Sequence, residues 1–144
     1  MNRYDHLKQI FFQNIESHSH GIYKQKAYFH SIQVSILCYE YALKRGLNSE
    51  LAMIIGLFHD YAYYLYQSSF NHGERSSELL KPYLNDFTNE EQNIILNAIK
   101  HHSDKDHIHD DYCELIKDMD LLIKAIEEPN YIFNQTQQKR LKEL

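Results

Sequence analysis

Hydrophobic positions recur every three or four residues over most of the chain, which is the spacing of amphipathic helices. In a first segment, from about residue 4 to 17, the apolar residues at helical spacing are Leu7, Ile10, Phe11 and Ile15. A second runs from about 24 to 45 and is ended by Gly46. One stripe of this second segment carries Ala27, His30, Val34, Leu37 and Tyr41. The pattern predicts two helices and puts His30 on a buried face.

The middle of the chain is more uniformly apolar. Asn48 suits the N-cap of a third helix, in which residues 51–58 are hydrophobic on nearly all sides, as in a helix surrounded by others. His59 and Asp60 follow directly, at the end of this apolar run. An aromatic stretch and the polar loop QSSFN then lead to a predicted fourth helix over about 72–84.

Two further helices are predicted in the last third of the chain. Thr88 and Glu91 have the spacing of a capping box, which opens a fifth helix ending near residue 103. The polar segment DKDHIHDD is predicted to be a loop, and residues 112–127 form a sixth helix ended by Pro129. The tail, 129–144, is either a short helix or frayed. We therefore expect an all-α bundle of about six to seven helices, in a single domain spanning 1–144.

Composition narrows the class of protein. With 43% hydrophobic residues but only four Gly and two Pro in 144 residues, the chain is typical of a globular helical protein. It shows neither a signal peptide nor a membrane-spanning segment, so we expect a cytoplasmic protein with no membrane partner. A formal net charge of −5 argues against long nucleic acid as a partner. Cys38 and Cys113 are interpreted as reduced, buried thiols.

Several metal-binding residue types fall on or beside the buried helical faces. They are His30, the pair His59 and Asp60, His72, the pair His101 and His102, and either Asp118 or Asp120. Taken singly, each has an ordinary explanation, such as a core histidine bonded to a carbonyl or a cation at a helix C-terminus. Together they indicate a transition-metal site built from inward-facing side chains of several helices.

The remaining histidines serve as a comparison. They lie near the start of the chain or in polar segments, and we expect them to be solvated: His6, His18, His20, His107 and His109. The segment HIHDD could attract a metal ion weakly, but it lacks the apolar shell that holds ligand geometry.

The ordered motifs FHSIQV, GLFHDYA, NHGERSSELL, AIKHHS and LIKDMDLL resemble the HD-domain superfamily of metal-dependent phosphohydrolases. The resemblance covers about residues 28–126, within a metal-site core of about 24–127. It implies that one divalent metal is held by His30, His59, Asp60 and Asp120, so the resemblance selects Asp120 over Asp118. It also implies a second ion, bridged by Asp60 and bound at the positions of His72 and His101, with His102 contributing in some members.

Within that superfamily the chain is most similar to the small bacterial diadenosine tetraphosphate hydrolases, which share HDYA, the following HG and an AI-x-H pattern. Many of these relatives carry Lys three residues after the Asp, where this chain has Tyr63. Its HHS also stands where that branch has a histidine followed by Thr. Arg75 and Tyr63 are candidate substrate-binding residues, although a solvated Arg and a packed Tyr are the ordinary alternatives.

The resemblance implies hydrolysis of a phosphoester or phosphoanhydride bond in a small phosphorylated metabolite, with nucleotides as the preferred class. The cofactor would be one or two divalent ions of Fe, Mn, Ni, Zn or Mg that activate water, with His59 and Asp60 as the catalytic pair. Two alternatives stay open: a di-iron oxygenase, and a degenerate HD domain acting as a metal- or nucleotide-binding regulatory module. A homodimer is also considered.

Overall fold

The chain is helical through most of residues 2–144, the part that this computed structural model describes. The helices in chain order are α1 (Arg3–His18), α2 (Gly21–Arg45), α3 (Ser49–Phe58), α4 (Tyr61–Tyr66), α5 (His72–Leu80), α6 (Asn89–His101), α7 (Asp111–Glu127) and α8 (Gln135–Lys142). A 3₁₀ turn, Lys81–Tyr83, follows α5. No strand occurs between residues 2 and 144, so the predicted all-α class is confirmed.

The α3 helix lies at the centre of the molecule. Its N-cap Asn48 accepts a hydrogen bond from the Leu51 amide at 3.1 Å, and every residue from Ile54 to Phe58 is buried. Gly56 lets α2 approach closely, because a Cβ at this position would lie 2.9 Å from the Cα of Ser35. This contact brings the helix that carries His30 next to the residues that precede His59.

Aromatic side chains from α1 and α4 cover one end of α3. Phe11 packs edge-on against Phe58 at 5.3 Å between ring centroids, and it also lies 5.4 Å from Tyr61. The Tyr61 hydroxyl accepts a hydrogen bond from Asn14 at 2.7 Å. Tyr61 and Tyr64 are buried, so the aromatic stretch forms a separate short helix that fills the core.

The ends of several helices follow from their local sequence. Gly46 ends α2 with φ at 70°, and Thr88 and Glu91 form both hydrogen bonds of the capping box that starts α6. The fourth predicted helix ends earlier than expected, at Leu80. Because Pro82 has no amide hydrogen to donate, the chain tightens there into a 3₁₀ turn.

The C-terminal segment folds back on α7 through Arg140 of α8. Its guanidinium donates to Glu114 at 2.8 Å and to Asp118 at 3.1 Å, and also to the carbonyl of Lys105 at 3.3 Å. These three partners lie on α7 and on the loop that precedes it. Across residues 2–144, none of the helices combines the length and apolar character needed to cross a bilayer.

Candidate metal centre

Five segments bring histidine and aspartate side chains together around Asp60. Asp60 and His59 lie in the turn between α3 and α4, where the α-helical geometry is interrupted at Asp60. The other contributions come from α2, the first residue of α5, the end of α6 and α7. In that order they are His30, His72, His102 and Asp120.

A first group consists of His30, His59, Asp60 and Asp120. The Nε2 atom of His59 lies 3.2 Å from Oδ2 of Asp60 and 3.3 Å from Oδ1 of Asp120. His30 presents its Nε2 to the same two oxygens, at 3.7 and 3.5 Å. Two ligand atoms that are each about 2.1 Å from one ion lie about 3.0–3.4 Å apart. The group therefore has the size of a site for one cation.

A second group consists of Asp60, His72 and His102. Here Oδ1 of Asp60 lies 3.2 Å from Nε2 of His72 and 3.1 Å from Nε2 of His102. The two imidazole nitrogens are 3.1 Å apart. Because Oδ2 of Asp60 faces the first group and Oδ1 faces the second, this one carboxylate is shared between them.

Backbone carbonyls fix the orientation of three of the histidine rings. Nδ1 of His59 lies 2.7 Å from the Gly56 carbonyl, and that of His102 lies 2.7 Å from the Ile99 carbonyl. His72 makes the same contact with Ser69 at 2.9 Å. A carbonyl can only accept, so we assign the proton to Nδ1 in each ring. This leaves the Nε2 lone pair facing the carboxylates, the arrangement of metal-binding histidines.

The surroundings of His59 and its Nε2 nitrogen show whether a metal ion fits these residues. Its side chain has no solvent exposure, and the nitrogen has no hydrogen-bond partner within residues 2–144 despite its closeness to two carboxylates. A buried polar atom without a partner is costly, and lone pairs that face carboxylates need a cation between them. Imidazole and carboxylate ligands suit Fe, Mn, Ni and Zn. The residues therefore fit a divalent transition metal.

The pKa values of these groups show the same demand for positive charge. Burial lowers the pKa of His59, but the charges of Asp60 and Asp120 outweigh it and raise that pKa to about 10. Burial raises the pKa of Asp60, yet His59 and then His102 hold it well below its usual range. A proton on the His59 imidazole would thus supply part of the positive charge that these carboxylates demand when no metal ion is bound.

His101 lies outside both groups, unlike the expectation that placed it at the second ion. Its ring stacks on His109, with centroids 4.5 Å apart, while the neighbouring His102 is buried and faces Asp60. Successive residues of a helix point about 100° apart, so only one of the pair can face inward. His109 was expected to be solvated, but it is half-buried and lies 2.6 Å from the ammonium of Lys117.

Asp118 and Asp120 differ in their partners. Asp118 accepts hydrogen bonds from Arg45 at 2.9 Å and from Arg140 at 3.1 Å, on the side of α7 that receives α8. Asp120 lies two residues further along and faces His30 and His59 instead. The geometry thus separates an ion-paired aspartate from one that could bind metal.

The two candidate substrate residues differ in their surroundings. The Arg75 guanidinium stacks over the Tyr66 ring at 4.2 Å and donates to the Phe70 carbonyl at 3.4 Å. Tyr63 borders the second group, with its ring centroid 6.4 Å from that of His72. A tyrosine at this border could contact a ligand at the second group, whereas Arg75 would first have to leave Tyr66.

Two charged residues that no sequence pattern singled out, Lys105 and Glu127, also reach the site. The Lys105 ammonium lies 3.2 Å from Oδ2 of Asp120 and 2.7 Å from the His102 carbonyl, and its side chain is only 13% exposed. Oε1 of Glu127 lies 3.6 Å from Nδ1 of His30. Lys105 belongs to the polar segment interpreted as a solvated loop, and only the folded path of that loop places its charge here.

An all-α fold with two histidine and aspartate groups around one shared carboxylate defines a helical metal-site domain. A protein-family model described as the HD domain matches residues 27–125, more than half of the chain. The chain therefore belongs to the HD domain family, whose members are typically metal-dependent hydrolases. Neither the search of curated proteins nor the search of solved structures found a match. The similarity to diadenosine tetraphosphate hydrolases stays a prediction.

Proposed function

We propose that this protein is a phosphohydrolase with two divalent metal ions, which cleaves a phosphoester or phosphoanhydride bond of a small phosphorylated metabolite, preferably a nucleotide. The observation that carries the proposal is the division of Asp60 between two groups of imidazole nitrogens. A carboxylate that bridges two cations is a common feature of enzymes that hydrolyse phosphate bonds with two metals.

In this proposal His30, His59, Asp60 and Asp120 would hold the first ion, and Asp60, His72 and His102 would hold the second. Ions bound there would lower the pKa of water and polarise the phosphoryl oxygens. The carbonyls of Gly56, Ser69 and Ile99 accept from Nδ1 of their histidines, so that the neutral Nε2 atoms would be available as metal ligands. Asp60 lies in the turn between α3 and α4, where one of its carboxylate oxygens faces each group. The neighbouring His59 belongs to the first of these groups.

The position of Lys105 is evidence that the substrate carries a phosphate group. Its ammonium is held beside Asp120 and is largely shielded from solvent, so its charge is only partly screened by water. We expect it to contact a substrate phosphate at the first group. Many relatives carry a lysine at the position of Tyr63, and Lys105 would supply the positive charge that Tyr63 lacks. Lysine serves phosphate binding as a flexible point charge.

The test begins with untagged protein that is purified without chelator and then reconstituted separately with Mn, Fe, Ni, Zn or Mg. Mononucleotides and dinucleoside polyphosphates are then incubated with it, and substrate and product are separated by ion-exchange chromatography. We expect cleavage with at least one metal and no cleavage by Asp60→Ala, while His101→Ala retains activity as the matched histidine control.

Other outcomes would assign the protein differently. Nucleotide that binds and stays intact with every metal would indicate a regulatory binding module. Oxygen consumption without phosphate-bond cleavage, measured with an oxygen electrode on the iron-loaded protein, would indicate an oxygenase. Either result would overturn the proposed hydrolysis.

A further inference from the structure

The longest helix, α2, exposes a stripe of large apolar side chains at intervals of seven residues. The four residues are 54–70% exposed: Ile22, Phe29, Ile36 and Leu43. The other side of the helix is buried against the core through Ala27, Val34 and Cys38, among others. The stripe therefore lies on the outer face, outside the hydrophobic core cluster of this chain.

The spacing of the stripe matches a helix partner. The half-buried Ile32 and the exposed Tyr39 lie three residues after Phe29 and Ile36, so apolar residues recur in alternating steps of three and four from residue 29 to 43. The polar Gln25 occupies the corresponding position after Ile22. Residues 22–43 span about 32 Å of helix at about 1.5 Å per residue. A seven-residue repeat maintained over this length is complementary to a second helix with the same repeat.

The charges beside the stripe identify that second helix as another copy of α2 in the opposite direction. Lys26 and Glu40 are exposed on the same edge, each seven residues from Gln33. A two-fold axis near Gln33 would place Lys26 of each chain beside Glu40 of the other. A parallel, in-register pair would instead place like charges together. Over residues 2–144 neither side chain forms an ion pair within its own chain, and the Lys26 ammonium lies over the Tyr63 ring, 6.0 Å from its centroid. Both charges can therefore pair with an opposite charge across an interface.

We propose that the protein forms a homodimer in which the outer faces of two antiparallel α2 helices pack against each other. The contact is of the isologous kind, since the same stripe serves both subunits. It extends beyond the proposed hydrolase activity and does not depend on it. His30 directly follows Phe29, so the helix that forms the interface also carries a residue of the metal centre.

Sedimentation velocity over a range of protein concentrations tests the interface. The unmodified protein is expected to sediment as a dimer, and Phe29→Asp and Ile36→Asp each to raise the dissociation constant by about a hundredfold or more. Ile132→Asp is the matched control, because Ile132 is 89% exposed but lies outside α2. Circular dichroism checks that each variant retains its helices. A monomer at all concentrations, or a dimer unaffected by Phe29→Asp, would overturn the proposal.

Charge reversal tests the direction of the helices. Lys26→Glu and Glu40→Lys should each weaken the dimer about tenfold or more at low salt, since each places like charges together in two symmetric pairs. The double variant should regain the affinity of the unmodified protein. A parallel dimer would respond little to any of the three variants. That result, or a double variant as weak as the single ones, would overturn the antiparallel arrangement.

Discussion

The Nε2 atoms of His72 and His102 lie 3.1 Å apart, and both face the same oxygen of Asp60. Each ring also places its Nδ1 against a backbone carbonyl, which leaves two lone pairs directed toward each other and toward a carboxylate. This arrangement is unfavourable without a cation, either a proton on one ring or a metal ion. The second group is therefore a site at which the fold favours the binding of a cation.

The histidine pair at the end of α6 offers a direct test of that interpretation. His102→Ala should lower the metal content by about one ion per chain while leaving the ion of the first group. His101→Ala should keep the full content, since His101 stacks on His109 outside the site. Elemental mass spectrometry after gel filtration gives the counts. An unchanged count in His102→Ala, or a loss in His101→Ala, would contradict the assignment of this group.

Replacing Lys105 tests its proposed contact with substrate phosphate. Lys105→Met keeps an unbranched side chain but removes the ammonium beside Asp120. We expect retained metal, and a KM for phosphorylated substrate raised by about tenfold, the effect of losing about 1.4 kcal/mol of binding. Lys100→Met is the control, because Lys100 is exposed on α6. Steady-state kinetics with both variants would refute the role if the KM values stayed equal.

Arg140 should govern how firmly α8 is held. Arg140→Ala removes hydrogen bonds to Glu114, Asp118 and the Lys105 carbonyl, although Glu114 keeps Lys117 and Asp118 keeps Arg45. Because each carboxylate retains a cationic partner, we expect the free energy of unfolding to fall by about 1–3 kcal/mol, less than for an unpaired buried charge. Urea unfolding measures the change, with exposed Lys142→Ala as control. A variant as stable as the parent would show that the contacts of Arg140 contribute nothing to stability.

The ion pair between Arg3 and Glu91 gives the protein a predictable response to acid. The hydrogen bond from Arg3, and then the Thr88 amide, hold the pKa of Glu91 at about 2, below its unfolded value of about 4.5. A depressed pKa contributes stability above pH 4.5, and this contribution is lost as the pH falls toward 2. Glu91→Gln keeps an acceptor for the capping box but loses the charge.

The Glu91→Gln variant should therefore be less stable than the parent near pH 7, and the two should converge as the pH falls from about 4.5 to 2. Thermal unfolding followed by circular dichroism at several pH values gives the comparison. A constant difference across that range would show that the charge of Glu91 is not the source of the effect.

Helix starts and stops were largely predictable, because they depend on neighbouring residues. The capping box of Thr88 and Glu91 and the end of α2 at Gly46 are examples. The all-α class followed from the periodicity. The tail beyond Pro129 was less certain, and α8 is held by contacts with α7 and the Lys105 loop that no local pattern reveals.

The candidate site was predictable in its residue types but less so in its arrangement. Hydrophobic periodicity put His30 on an inner face, yet it could not separate Asp118 from Asp120, which flank the apolar stripe of α7 symmetrically. His101 and His102 are adjacent at a helix end, so only the packing of α6 decides which one faces Asp60. Lys105 comes from a polar loop whose path depends on tertiary contacts.

The proposed sharing of Asp60 by two metal ions is tested most directly by the metal content of four proteins. Elemental mass spectrometry on untagged, chelator-free protein after metal reconstitution should find about two ions per chain in the parent. Asp120→Ala and His72→Ala should each retain about one, and Asp60→Ala essentially none. An Asp60→Ala protein that still holds two ions, or a parent that holds none with any of the metals, would contradict the account.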